Sequence, residues 1–137
     1  MKRKVLFVCT GSACRSQMAE AIVNHDLGQR WTAFSAGTQP AGFVHPRALQ
    51  ALAEISIQHQ GTSKAVDVFR GQAFDLVMTL CGEAEEDCPL WLGQGRRAHL
   101  GFPDPARAAG SDEEILAAFR RVRDDIRVAV TAYLEKF

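Results

Sequence analysis

The hydrophobic positions of this chain alternate between short unbroken apolar runs and apolar stripes at helical spacing. The runs predict four β-strands, at residues 4–8, 31–36, 74–80 and 97–102. The stripes predict three longer helices, at residues 15–27, from 46 onward, and from the capping box at 111–114 to 133. Strands that alternate with helices indicate right-handed crossovers, and hence a parallel sheet with helices on both faces.

Two further stretches carry weaker signals. Thr62 and Ser63 are interpreted as the cap of one or two helical turns that run through Phe69. Residues 83–95 are acidic at first and then rich in Gly and Pro, which predicts a short helix running into a loop. With 137 residues and no linker or internal repeat, the chain is predicted to form one α/β domain over residues 1–137.

The first predicted strand ends at Cys9, and five small or polar residues separate it from Arg15 and Ser16, which open the first helix. Such a loop binds anions, because backbone N–H groups of the loop and of the helix start converge on one point. Arg15 adds a planar fork of donors suited to a tetrahedral oxyanion. The residues predicted to bind the oxyanion are Thr10, Gly11, Ser12, Ala13, Cys14, Arg15 and Ser16.

The positive potential of this loop favours the thiolate form of Cys9, which makes Cys9 a candidate nucleophile. A single cysteine at the end of a buried strand is more often an ordinary core residue. The spacing to Arg15 and Ser16 favours the anion site over that alternative.

Composition excludes several other classes of function. Sixteen basic and sixteen acidic side chains balance, so the net charge indicates neither nucleic acid nor a membrane as a partner. The N-terminal apolar run of about five residues is too short for a signal peptide, and no run approaches the ~20 residues of a membrane span. A cytoplasmic location is therefore expected.

Four cysteines lie at positions 9, 14, 81 and 88. They form no Cys-x-x-Cys pair, and no histidine lies at a ligand-like spacing from them, so a zinc site is not expected. No other metal and no cofactor is predicted. In a reducing compartment, thiol chemistry is favoured over structural disulfides. Cys81 or Cys88 alone would be interpreted as a buried thiol, and for Cys14 packing and redox roles are equally favoured.

Asp104 lies between two prolines after the fourth predicted strand. Ligands of parallel sheets bind beyond the carboxyl ends of the strands, and Cys9, Cys81 and Asp104 all follow such ends. Asp104 is therefore a candidate general acid, with a simple turn residue as the alternative. The histidines show no partner in the sequence and are interpreted as surface or packing residues: His25, His45, His59 and His99.

Cys9-x5-Arg15-Ser16 after an N-terminal strand, with an Asp-Pro pair far downstream, resembles the low-molecular-weight tyrosine phosphatase family. Within that family the chain is similar to thioredoxin-coupled arsenate reductases. The similar segments are 15–21, 35–38, 79–82, 88–89 and 104–106. The resemblance implies a three-layer α/β/α fold with a four-stranded parallel sheet and the anion loop after the first strand.

The resemblance also implies an enzyme that reduces arsenate to arsenite without a cofactor. Cys9 would attack arsenic while Arg15 and the loop amides hold the oxyanion, and Asp104 would protonate the departing oxygen. Cys81 would then attack arsenylated Cys9, and Cys88 would take over the disulfide for thioredoxin to reduce. Phosphate and sulfate are the expected mimics of arsenate.

The chain departs from the resemblance near the loop. Ser12 stands where both families usually have an asparagine that stabilises the loop. Some related reductases bind potassium through side chains that match Glu20 and Ser35. Lys64 stands near a further ligand position, and its ammonium is a candidate replacement for the ion.

Two alternative functions remain open. A phosphomonoester hydrolase would need only Cys9, Arg15 and Asp104, because phosphate and arsenate share shape and charge. A catalytically silent oxyanion or redox sensor is the third interpretation. Cys81 and Cys88 favour the reductase; an intact helix would hold their α-carbons about 10.5 Å apart, beyond the roughly 4.4–6.8 Å of a disulfide. Oxidation is thus predicted to unwind residues 82–87.

Overall fold

The computed structural model describes residues 2–11, 13–81 and 96–137. Within these residues there are four strands: β1 (Arg3–Cys9), β2 (Trp31–Gly37), β3 (Leu76–Thr79) and β4 (Arg96–His99). The α-helices are α1 (Arg15–Asp26), α2 (Pro46–Ala53) and α3 (Asp112–Glu135), and 3₁₀ turns occupy Val66–Phe69 and Pro105–Arg107. Predictions for Ser12, Cys88, the segment 83–95 and the unwinding of 82–87 lie outside the described residues.

The four strands are parallel and lie in the order β2-β1-β3-β4. The α/β class and the four-stranded parallel sheet are thus confirmed. β1 is interior to the sheet, and side chains along a strand alternate between the two faces. Val5 and Phe7 accordingly enter one core, while Leu6 and Val8 enter the other. All four are at most 1% exposed, which explains why this strand is apolar throughout.

The two faces of the sheet are covered differently in the part of the chain described. Buried residues of α1, α2 and α3 share one apolar cluster with Val5 and Phe7, which we call the helix-side core. On the other face, the 3₁₀ turn at Val66–Phe69 contributes to an aromatic cluster in which Phe34, Phe69 and Phe74 meet edge to face. Their ring centroids are 5.6–5.8 Å apart. No α-helix among these residues is long and apolar enough to cross a membrane.

Pairing between strands decides where β3 and β4 end. Both are shorter than their apolar runs predict, and β4 begins at Arg96 and ends at His99. Beyond the paired residues, the amides of Leu100 and Phe102 bond the carbonyls of Thr79 and Leu80. The chain after β4 therefore stays against the chain after β3, which brings it toward the carboxyl end of β1.

The predicted cap at Thr62 and Ser63 is wrong. The 3₁₀ turn begins at Val66, after Ala65, and has no side-chain cap. Ser63 instead donates its hydroxyl to the Gly11 carbonyl at 2.9 Å. A long-range hydrogen bond with the anion loop takes the place of the local one.

The predicted capping box of α3 is confirmed. Glu114 N–H donates to Ser111 Oγ at 3.1 Å, and Ser111 N–H donates to Glu114 Oε1 at 3.2 Å. Two amides at the helix start are satisfied in this way. α3 buries Phe119, Ile126 and Val130 in the helix-side core, so its cap contributes to the stability of that whole face.

Ser111→Ala removes the cap oxygen and should lower the free energy of unfolding by about 1 kcal/mol, measured by urea denaturation. Ser111→Asp is the matched control, because aspartate also accepts the Glu114 amide; we expect it to stay within about 0.5 kcal/mol of the parent. An alanine variant as stable as the parent would show that the box contributes nothing.

Candidate active site

The register of the sheet brings the predicted site residues together. β1 pairs Val8 with Thr79, and Thr10 and Cys81 each follow two residues later. Their side chains meet, with Thr10 Oγ1 and Cys81 Sγ 3.9 Å apart. Cys81 therefore lies against the first residue of the anion loop.

An outer segment, residues 39–45, holds the carbonyls of the anion loop. Its amides donate to loop carbonyls in three bonds of 2.9–3.0 Å: Gln39 to Thr10, Ala41 to Gly11 and His45 to Ala13. None of the described peptides is cis, and the C=O and N–H of a trans peptide point in opposite directions. The amides of Gly11 and Cys14, which follow the Thr10 and Ala13 carbonyls, are thus turned away from the outer segment.

The start of α1 completes the positive site. The first hydrogen bond of the helix runs from Met18 N–H to the Cys14 carbonyl at 2.9 Å, and the amides before it point toward the loop. Cys9 is 1% exposed, and its thiol donates to Ser16 Oγ at 3.1 Å. A hydroxyl can also donate, so Ser16 is able to stabilise a thiolate at the same distance.

Arg15 is buried and held in a fixed orientation. Its Nη1 donates to the Phe102 carbonyl at 3.2 Å, and its Nη2 lies 3.8 Å from Asp104 Oδ2. The other carboxylate oxygen, Asp104 Oδ1, accepts the Ala106 amide and caps the 3₁₀ turn. Asp104 is thus both a turn residue and a neighbour of Arg15, which it reaches with its second oxygen.

The cysteines of the described chain differ in state. Cys81 is disulfide-bonded and fully buried, whereas Cys9 and Cys14 are free thiols. Burial raises the pKa of the Cys14 thiol, and the negative charges of Asp104 and Cys9 raise it further. Cys14 therefore stays protonated beside the site and packs in the helix-side core.

Residues 4–137 match the low molecular weight phosphotyrosine protein phosphatase family. The chain belongs to this family. It is 45% identical over 135 residues to an arsenate reductase of Halalkalibacterium halodurans, covering 98% of this chain and 96% of that one.

Solved structures agree with this family. One described as an arsenate reductase in the phosphate binding state matches at a TM-score of 0.78 and 30% identity, covering 99% of this chain and 98% of that one. A thioredoxin-dependent arsenate reductase from Corynebacterium glutamicum matches at a TM-score of 0.67 and 26% identity, and this chain covers 64% of its length.

The potassium ligands implied for some relatives in this phosphatase family form a different site here. Ser35 Oγ donates to Glu20 Oε1 at 3.0 Å, so the two side chains bond each other. Burial raises the pKa of Glu20, while the charge of Lys64 and the bond from Ser35 oppose that rise. Lys64 Nζ also donates to the carbonyl and hydroxyl of Thr62, at 3.3 Å each. The positive charge of Lys64 therefore acts on Glu20, as the charge of a potassium ion would.

Several residues around the site were not identified from the sequence. His45 caps α2 by accepting the Arg47 amide at its Nδ1, a role that its position before Pro46 could have indicated. Ser63 lies 52 positions from Gly11, and no local pattern marks that contact. Gln17 and His59 are hydrogen-bonded to each other 42 positions apart, again without a local signal.

The raised pKa of Glu20 predicts a pH-dependent stability. A group whose pKa is higher in the folded chain stabilises the fold below its ordinary value of 4.5, and this contribution is lost as pH rises through the folded value. Glu20→Gln keeps an oxygen for the Ser35 hydroxyl but does not ionise. Its melting temperature should therefore rise relative to the parent as the pH of the measurement is increased above 4.5.

The control for this experiment is Glu135→Gln, because Glu135 is exposed. Its melting temperature should follow that of the parent across the same pH range. A constant difference between Glu20→Gln and the parent would contradict the burial of an ionising group at this position.

Proposed function

We propose that this protein reduces arsenate to arsenite through Cys9, Cys81 and Cys88, with thioredoxin as the reductant. The observation that carries the proposal is an oxyanion loop around a buried thiol with an oxidised cysteine at its edge, Cys81 Sγ being 3.9 Å from Thr10 Oγ1. A hydrolase acting through Cys9 alone has no use for a disulfide there. The similarity to proteins named arsenate reductase supports the same function.

Binding of arsenate uses the loop residues 10–16 together with the Arg15 guanidinium. Arg15 is already oriented by the Phe102 carbonyl, so less side-chain freedom is lost when the oxyanion binds. Phosphate and sulfate have the same tetrahedral shape and should bind as mimics. The solved relative in a phosphate binding state supports this expectation.

The first chemical step joins sulfur to arsenic. The Cys9 thiolate attacks arsenic and a sulfur–arsenic bond forms. The bond from arsenic to one hydroxyl group of arsenate breaks, and that hydroxyl leaves as water with a proton from Asp104. Arg15 and the loop amides stabilise the charge on the remaining oxygens. Ser16, 3.1 Å from Cys9 Sγ, donates its hydroxyl to the thiolate before the attack.

The following steps transfer two electrons to arsenic. Cys81 attacks the Cys9 sulfur, a disulfide forms, and the electron pair of the sulfur–arsenic bond stays on arsenic, which leaves as arsenite. Cys88 then attacks the Cys81 sulfur and releases Cys9 as a thiol. Thioredoxin reduces the resulting disulfide by thiol exchange. A free Cys9 with an oxidised Cys81 is the combination expected just before that last reduction.

Phosphatase activity is the lesser alternative. Cys9, Arg15 and Asp104 would serve phosphate monoesters as well as arsenate, and the family includes phosphatases. We propose that residues 1–137 form one domain that works in the cytoplasm, where thiol reductants maintain such a relay.

Cys81→Ser and Cys88→Ser distinguish the two functions. Each variant should lose multiple-turnover arsenate reduction with thioredoxin, measured as arsenite released, because the disulfide can no longer form or move on. Each should keep the hydrolysis of p-nitrophenyl phosphate that the parent shows, because the anion loop is unchanged.

The control is Cys9→Ser, which should lose both activities, since the nucleophile is common to them. Arsenate reduction at the parental rate in the Cys81 and Cys88 variants would reject the relay and leave a phosphatase. Appreciable reduction by Cys9→Ser would reject the whole assignment.

A further inference from the structure

Gln17 connects the start of α1 to the segment 59–64. The side chain of Gln17 is fully buried, and its Nε2 donates to the Thr62 carbonyl at 2.8 Å. Its Oε1 lies 2.8 Å from His59 Nε2. Because the amide nitrogen serves as the donor to Thr62, the amide oxygen is the acceptor, and His59 Nε2 must carry the proton.

Ser63, the residue after Thr62, connects the segment 59–64 to the anion loop. Ser63 donates its hydroxyl to the Gly11 carbonyl at 2.9 Å and accepts the Gly42 amide at 3.2 Å. One hydroxyl thus links the anion loop to the outer segment 39–45. The position of Ser63 depends on Thr62, since the two residues are adjacent and the Thr62 carbonyl is held by Gln17.

Gly61 allows the chain to pass close to the Gln17–His59 bond. A Cβ at this position would lie 2.2 Å from Gln17 Oε1 and 2.3 Å from His59 Nε2. Contacts this short are not tolerated, so any side chain at position 61 would displace both groups. The backbone of the segment therefore fits around this hydrogen bond.

His59 acts here as a neutral donor and not as an ion-pair partner. Two charged groups act on its ring: Glu20, whose Oε2 lies 3.6 Å from His59 Nε2, and Lys64, through the electrostatic effect of its charge. Burial lowers the pKa of His59, and Lys64 lowers it further. The 3.6 Å separation from Glu20 is also longer than a hydrogen bond, whereas the 2.8 Å to Gln17 is not.

We propose that His59 and Gln17 are positioning residues for the anion loop. They hold Thr62 and Ser63 against α1, so that the Ser63 hydroxyl keeps the Gly11 carbonyl turned away from the ligand. This proposal rests on the proposed function only in that the loop binds an oxyanion. It assigns a role in anion binding to a histidine that acts through Gln17, its hydrogen-bond partner.

The test compares His59→Ala, Ser63→Ala and the double variant. Two readouts are used: the dissociation constant for inorganic phosphate, by calorimetry, and the rate at which iodoacetate alkylates Cys9 in reduced protein, by mass spectrometry. Each single variant should bind phosphate about fivefold more weakly, because the loss of one hydrogen bond has an effect of about this size. Its Cys9 should also react more slowly with iodoacetate. The dissociation constant of the double variant should stay within about twofold of that of the single variant that binds phosphate more weakly. His59 and Ser63 act through the same contact with Gly11, so the two losses do not multiply.

Two further variants control for a general loss of structure. His59→Gln retains a side-chain donor and should bind phosphate within about twofold of the parent. His25→Ala removes an exposed imidazole at the far end of α1 and should leave both readouts unchanged. If the cavity left by His59→Ala unfolds the chain, His59→Met fills that space without a donor and takes its place.

The proposal would be overturned if His59→Ala bound phosphate and reacted with iodoacetate as the parent does. It would also be overturned if the losses of phosphate affinity in the two single variants multiplied in the double variant. Neither readout uses arsenate or thioredoxin. A parent protein that fails to reduce arsenate would contradict the proposed function, while the alkylation rates would still decide the role of His59.

Discussion

An oxyanion loop works only while its peptide carbonyls are bonded away from the ligand, because a carbonyl oxygen turned inward would repel the anion. In this protein the bonds that hold the carbonyls come from outside the loop. The segment 39–45 supplies three amides, and Ser63 supplies a hydroxyl to the Gly11 carbonyl. The site therefore depends on chain that follows β2, not only on the residues between Cys9 and Arg15.

Burial of charge imposes a second constraint on the same site. A buried guanidinium needs partners, and Arg15 has the Phe102 carbonyl and the nearby Asp104 carboxylate. Both follow β4, whose position is set by its pairing with β3. The order of the strands thus brings a general-acid candidate and an oriented arginine to the thiol at the end of β1. Cys14 adds no charge, since burial keeps its thiol protonated.

The features of the fold and of the site that could be predicted from the sequence are those set by residues close together in the chain. The path from β1 through the loop to α1 was predicted because apolar runs, small residues and a helix start follow one another directly. The ends of β3 and β4 were not, because partner strands determine them. Ser63 was misinterpreted as a cap, since its partner Gly11 is 52 positions away. His59 was seen only as a surface or packing residue, because its bond to Gln17 forms only in the folded chain.

The central claim is that the thiols of the chain supply the two electrons that reduce arsenate. Fully reduced protein mixed with excess arsenate, with no other reductant present, tests it most directly. Arsenite released and free thiols lost are counted in a single turnover. The relay predicts one arsenite and the loss of two thiols per chain, with Cys9 recovered as a free thiol. Arsenate left unreduced, or arsenite formed without loss of thiols, would contradict it.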